Sequence, residues 1–139
     1  MLYKAAGILR YGVAEYGHKL VLEIEQDLAD YYRSLIPKYY HVNRQRYGAH
    51  VSVVRKETPA NPDAWGKYEG EEIEFVYDSE IKRGTVYWWL NVFCVRLEEI
   101  RVELGLPVSS QYTLPPEGFV KCFHTTIGNS KGMSSLHTA

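Results

Sequence analysis

Two of the five histidines in this 139-residue chain carry a hydroxyl two residues downstream, in His50-Val51-Ser52 and His124-Thr125-Thr126. The other three, His18, His41 and His137, are followed at that position by Leu20, Asn43 and Ala139. On a strand, residues i and i+2 share a face roughly 6–7 Å apart, so each imidazole and its hydroxyl point one way while Val51 and Thr125 point the other. Two imidazoles flanking a phosphodiester supply what an in-line displacement needs. A neutral ring takes the proton of the nucleophile and a protonated ring gives one to the leaving oxygen. The hydroxyls of Ser52 and Thr126 add donors for the nonbridging oxygens, where negative charge accumulates in the transition state. An ordinary imidazole pKa near 6.5 puts both protonation states within reach at neutral pH.

The elements that must position these groups are legible as pattern. Residues 8–13 and 19–25 read as two strands joined by Ala14-Glu15-Tyr16-Gly17-His18. Leu28, Tyr31, Tyr32, Leu35 and Ile36 recur at helical spacing, with Asp27 as N-cap and Pro37 as stop, and residues 49–55 read as a strand. The order then repeats. Residues 72–77 alternate as a strand, Ile81-Lys82-Arg83-Gly84 turns the chain, and residues 85–95 form a β-branched and aromatic strand. Leu97, Ile100 and Leu104 share one side of a short helix closed by Gly105 and Pro107, and residues 119–127 return as a strand. Each half reads ββαβ, which predicts an α+β fold: a single compact bilobal domain over residues 1–139 built from two pseudo-symmetric halves. Lobe one covers about residues 1–56, the connector 57–71, lobe two about 72–128 and a small polar tail 129–139. Each histidine motif falls on the strand that closes its half, and packing about a pseudo-two-fold axis would bring both to one cleft.

At 45% hydrophobic and 24% charged residues, the chain has a globular composition that excludes disorder, collagen and coiled coil. Its net charge of −1 hides an asymmetry: residues 1–60 hold nine Lys/Arg against six Asp/Glu, and residues 61–139 hold seven against eleven. Lys38, Arg44, Arg46, Arg55 and Lys56 stand in a stretch with no acidic residue, a field suited to an anionic ligand. Arg44, Arg46 and Arg55, near the first motif, are candidates for phosphate contact. A duplex-DNA binder would be more basic overall. Tyr11 and Trp65, at strand-edge and connector positions, are candidates for stacking on a nucleobase. Alternation turns one of Trp88 and Trp89 toward the core and the other toward the cleft. Cys94 and Cys122 are too widely spaced for a CxxC site and read as buried thiols in a reducing compartment. No Asp, His or Cys cluster has ligand spacing, so neither metal nor cofactor is expected. The longest apolar stretch, residues 86–95, is interrupted by Asn91 and too short to span a bilayer, and the start lacks a leader-like apolar region. A cytoplasmic location without a membrane partner is expected, and the oligomeric state is left open.

Two H-x-[ST] motifs on equivalent strands of a duplicated scaffold resemble the 2H phosphoesterase superfamily. The resemblance is carried by His50, Ser52, His124 and Thr126, with Ser in the first motif where Thr is frequent. The flanking Tyr31-Tyr32-Arg33-Ser34-Leu35-Ile36-Pro37-Lys38 and Val53-Val54-Arg55, with the 74-residue spacing of the motifs, are most similar to the phage anti-CBASS branch. That resemblance implies a metal-independent phosphodiesterase that degrades cyclic di- or oligonucleotide alarm signals by 2′-hydroxyl attack. It implies a cyclic dinucleotide or short ribo-oligonucleotide partner, in the host cytoplasm if phage-encoded. Two other readings use the same residues: an RNA-end 2′,3′-cyclic phosphodiesterase, and a non-catalytic RNA- or nucleotide-binding module.

Overall fold

Period-two alternation dominates the chain, and the structure, a computed structural model describing residues 1–14, 17–109 and 113–131, turns most of it into antiparallel strands. In chain order the elements are β1 (Leu2–Ala14), β2 (Gly17–Ile24), α1 (Gln26–Ser34), β3 (His50–Glu57), β4 (Glu72–Asp78), β5 (Lys82–Arg83), β6 (Tyr87–Phe93), α2 (Val95–Glu103) and β7 (Phe123–Asn129). The strands neighbour one another in the order β4-β1-β2-β3-β7-β6, and β6 pairs again with β4. Six strands thereby close into an antiparallel barrel, with β5 a short flap on β6.

This architecture corrects the expected α+β fold of two ββαβ lobes. Two lobes would each keep their own sheet, whereas here backbone pairing runs around the whole ring. The cause lies in β1, which is 13 residues long. Its residues 2–8 pair with β4 and its residues 7–14 pair with β2, so one strand serves both parts of the chain. The expected connector is likewise stitched onto β1, with the Leu9 amide donating to Glu71 O at 2.9 Å and the Gly70 amide to Leu9 O at 2.8 Å. Gly7, where β1 pairs with Ile24 on one side and Ile73 on the other, allows this double engagement. A Cβ there would stand 2.5 Å from Glu23 O and 2.8 Å from Leu22 Cγ, closer than real side chains come.

Leu9, Leu22, Val51, Thr125 and Leu90 lie side by side across β1, β2, β3, β7 and β6 on one face of the ring, all with no exposed surface. Burying each of the aliphatic side chains stabilises the fold by about 1.5–3 kcal/mol. Helix α1 adds Ala29 and Tyr32 to this core, and the Tyr32 hydroxyl meets that of Tyr77 at 3.2 Å. Helix α2 adds Leu97 and Ile100, with Leu104 at its end. It stops at Gly105, whose φ of 76° and amide bond to Val102 O accompany a Leu106 amide bond to Arg101 O, the paired closure that glycine favours. From the same helix the buried Arg101 grips Glu57 with two 2.8 Å bonds and Val53 O at 2.7 Å, which fastens α2 to β3. Among the described residues no helix is long and apolar enough to cross a membrane. The expected polar tail lies mostly outside the described residues, as does His137.

Candidate active site

Strands β3 and β7 meet in register at Val51 and Thr125. Both side chains are fully buried, so the neighbours on either side, His50 and Ser52, Thr126 and His124, turn to the opposite face. Antiparallel pairing sets His50 across from Thr126 and Ser52 across from His124, a square of two imidazoles and two hydroxyls. The buried Thr125 hydroxyl donates to His50 O at 2.9 Å and locks the two strands at this point. All four residues line one cleft of about 1010 Å³.

Each imidazole has a defined setting. His50 Nδ1 lies 2.7 Å from Gly48 O; since a carbonyl only accepts, Nδ1 carries the proton and Nε2 is the atom left for proton transfer. His124 stands beside Trp89, with ring centroids 6.3 Å apart, and across from the buried Asn91, whose Oδ1 accepts from Trp89 Nε1 at 3.2 Å. Part of the His124 ring is open to the cleft, yet the surrounding walls desolvate it, and this is the main force holding its pKa below the ordinary imidazole value. Repulsion from Lys121, Arg55 and His50 pushes the same way. Both effects favour the neutral ring, the form that can accept a proton. Its NMR titration midpoint is expected below about 6.5, and Lys121→Gln should move it upward by removing a repelling charge. A midpoint at or above the ordinary value in the unsubstituted protein would contradict this setting.

Arg55 reaches the site through an irregularity in β3. Leu20 of β2 pairs with Val54 and Val21 with Ser52, so Val53 is an extra residue, and Val53 and Val54 are both buried. The bulge resets the alternation: Arg55, across from Lys19, shares the face of Ser52 and His50 and lines the cleft.

The other expected binding residues lie elsewhere. Tyr11 and Trp65 stand edge to face at 5.1 Å, half-buried against the core; neither lines the cleft, but Trp65 packs at 4.7 Å against His18, which does. Arg44 is held by Asp30 at 3.0 Å, and the exposed Arg46 lies 5.8 Å from the Tyr47 ring centroid, neither lining the cleft. Of the tryptophan pair, Trp88 is buried and Trp89 lines the cleft. Cys94 is buried as expected, but Cys122 is half-buried in the cleft wall; burial raises the pKa of both thiols. The pattern did not single out Lys121, Asn91 or Tyr47, all of which line the cleft. For Lys121 no local signal existed: only the meeting of β3 with β7 at Val51 and Thr125 brings it to the end of the site where Arg55 stands. Among the described residues no three His, Cys, Asp or Glu side chains gather where they could hold a metal ion. Comparison with known protein families, with curated proteins and with solved structures gives no match.

Proposed function

We propose that this chain is a metal-independent phosphodiesterase of the 2H type that opens 3′–5′ bonds in ribo-type cyclic di- or oligonucleotides. On this reading it is a phage protein that removes the signals of CBASS immunity in the host cytoplasm. The observation that carries the proposal is the square formed by His50, Ser52, His124 and Thr126 within one cleft. That square comes from a single strand register, so the chemistry does not depend on two symmetric lobes.

In the proposed reaction the neutral His124 takes the proton of the substrate's 2′-hydroxyl. The 2′-oxygen bonds to the adjacent phosphorus, the bond from phosphorus to the 5′-oxygen breaks, and His50 gives that oxygen its proton through Nε2. The ring opens to a 5′-hydroxyl and a 2′,3′-cyclic phosphate. Water then adds across the cyclic phosphate with the two histidines in exchanged roles, leaving a monophosphate end. Ser52 and Thr126 donate to the nonbridging oxygens, where a well-aimed donor is worth most as charge builds.

The direct test incubates the protein in excess EDTA with 3′,3′-cyclic dinucleotides and, separately, with 2′,3′-cyclic mononucleotides, read by chromatography. Turnover of a ribo cyclic dinucleotide to linear products is expected at an undiminished rate in chelator. Loss of turnover restored by one divalent ion would replace the scheme with metal-assisted hydrolysis, and turnover of neither class would leave a binding module.

A further inference from the structure

The cleft holds more cationic charge than the reacting phosphate needs. Besides the histidine pair, and with Lys19 and Lys56 also on the wall, Arg55 and Lys121 line it, and neither of these two forms an ion pair among the described residues. A carboxylate that lines the cleft, Glu57, is gripped by Arg101 through both oxygens. Lys121 is half-buried, and desolvation lowers its pKa, the mark of a cation placed where its charge is costly and has no counter-charge of its own. Its backbone is pinned there. The buried Glu98 of α2 accepts the amides of Val120 and Lys121 at 2.8 and 2.9 Å, fixing the segment that leads into β7.

The two cations also share a place. Arg55 lies three residues beyond Ser52 on β3 and Lys121 three before His124, just ahead of the antiparallel β7, so both stand toward one end of the cleft. Because Val53 is an extra residue, Arg55 stands two pairing steps beyond Ser52 along β3, about 7 Å. That separates them from the oxygens within reach of Ser52 and Thr126, and places them about one sugar further along a ribose-phosphate backbone. A cleft of about 1010 Å³ is at the upper end of what single small ligands occupy, roughly 300–1,000 Å³, and accommodates more than one nucleotide.

From this arrangement we infer that Arg55 and Lys121 form a second anion subsite, which holds a phosphodiester one sugar away from the one being cut and selects substrates that carry two such groups. The inference rests on the proposed phosphodiesterase reading for the identity of the first subsite, but it is a statement about binding and is tested without turnover.

The test uses two ligands that lack 2′-hydroxyls and so cannot be cut by the proposed route: bis-deoxy cyclic diadenylate, with two phosphodiesters, and linear d(ApA), with the same bases and one. Calorimetric titration of the full chain is expected to show the cyclic ligand binding about tenfold tighter or more, the worth of charge-assisted hydrogen bonds to one added phosphate. Lys121→Gln and Arg55→Gln should each remove most of that advantage, weakening the cyclic ligand about tenfold while changing d(ApA) less than twofold. Lys121→Arg should retain it, which separates lost charge from lost fold. Equal weakening of both ligands would place the cations on the scissile phosphate and overturn the second subsite, as would equal binding of the two by the unsubstituted protein. Incubation with ribo cyclic diadenylate separates the two proposals: tight binding without cleavage refutes the phosphodiesterase and keeps the subsite, whereas cleavage with no discrimination between one phosphate and two does the reverse.

Discussion

His50→Ala and His124→Ala should each lower turnover of a ribo cyclic dinucleotide by ~10²–10⁴-fold, the usual cost of removing a general acid or base. This corresponds to about 3–5 kcal/mol of transition-state stabilisation. The effect on the fold should be far smaller. Both rings lie on the face opposite the buried row of Leu9, Leu22, Val51, Thr125 and Leu90, so neither truncation opens a cavity in the core. His50→Ala gives up one hydrogen bond, from Nδ1 to Gly48 O, worth about 0.5–1.5 kcal/mol. The double variant should be little slower than the slower single one, because an acid without its base no longer completes the proton transfer. Turnover within threefold of the unsubstituted protein in either single variant, with unchanged thermal unfolding, would remove that histidine from the mechanism.

What could be read from the sequence follows the range of the physics. A two-residue repeat is local, so the shared face of His50 with Ser52, and of His124 with Thr126, was visible before any tertiary structure. So were the helix that buries Tyr32 and the stop at Gly105. Closure of the ring was not visible, because it depends on which edges meet. Alternation in β1 shows that both faces exist but not that its residues 2–8 pair with β4 while its residues 7–14 pair with β2. Repetition of strand and helix order therefore suggested two lobes where edge pairing makes one barrel. Arg55 illustrates a second limit. Strict alternation puts it with Val51 and Val53, against the core, and only the extra residue at Val53 brings it to the face of His50. The basic stretch was real as composition, but its members diverged once partners were in place: Asp30 takes Arg44, while Arg55 remains in the cleft. Lys121 is isolated in sequence and belongs to no motif. Its position has meaning only through the meeting of β3 with β7 and the hold of Glu98 on its amide.

If the nucleophile is the substrate's own 2′-hydroxyl, a deoxy sugar beside the scissile phosphate must abolish cleavage and leave binding nearly intact. The unassisted alternative, attack by water, needs no 2′-oxygen and would cut both sugars alike. The reason to expect a large difference is geometric. A hydroxyl one bond from the ribose ring that carries the phosphate is already held near in-line attack distance, and such preorganisation substitutes for an encounter at effective concentrations of roughly 10⁵–10⁸ M. In the proposed scheme Ser52 and Thr126 serve as donors, and burial raises the pKa of the Cys122 thiol, which disfavours it as a nucleophile. The substrate contacts proposed for Arg55 and Lys121 in the cleft would not use the 2′-oxygen. The comparison is ribo cyclic diadenylate against its bis-deoxy analogue at equal concentration, with cleavage followed by chromatography and occupancy by competition. Cleavage of the ribo ring alone, with the deoxy ring acting as a competitive inhibitor of similar affinity, is the expected result. Comparable cleavage of both would assign the attack to water, end the route through a 2′,3′-cyclic phosphate, and recast His124 as the base that activates that water.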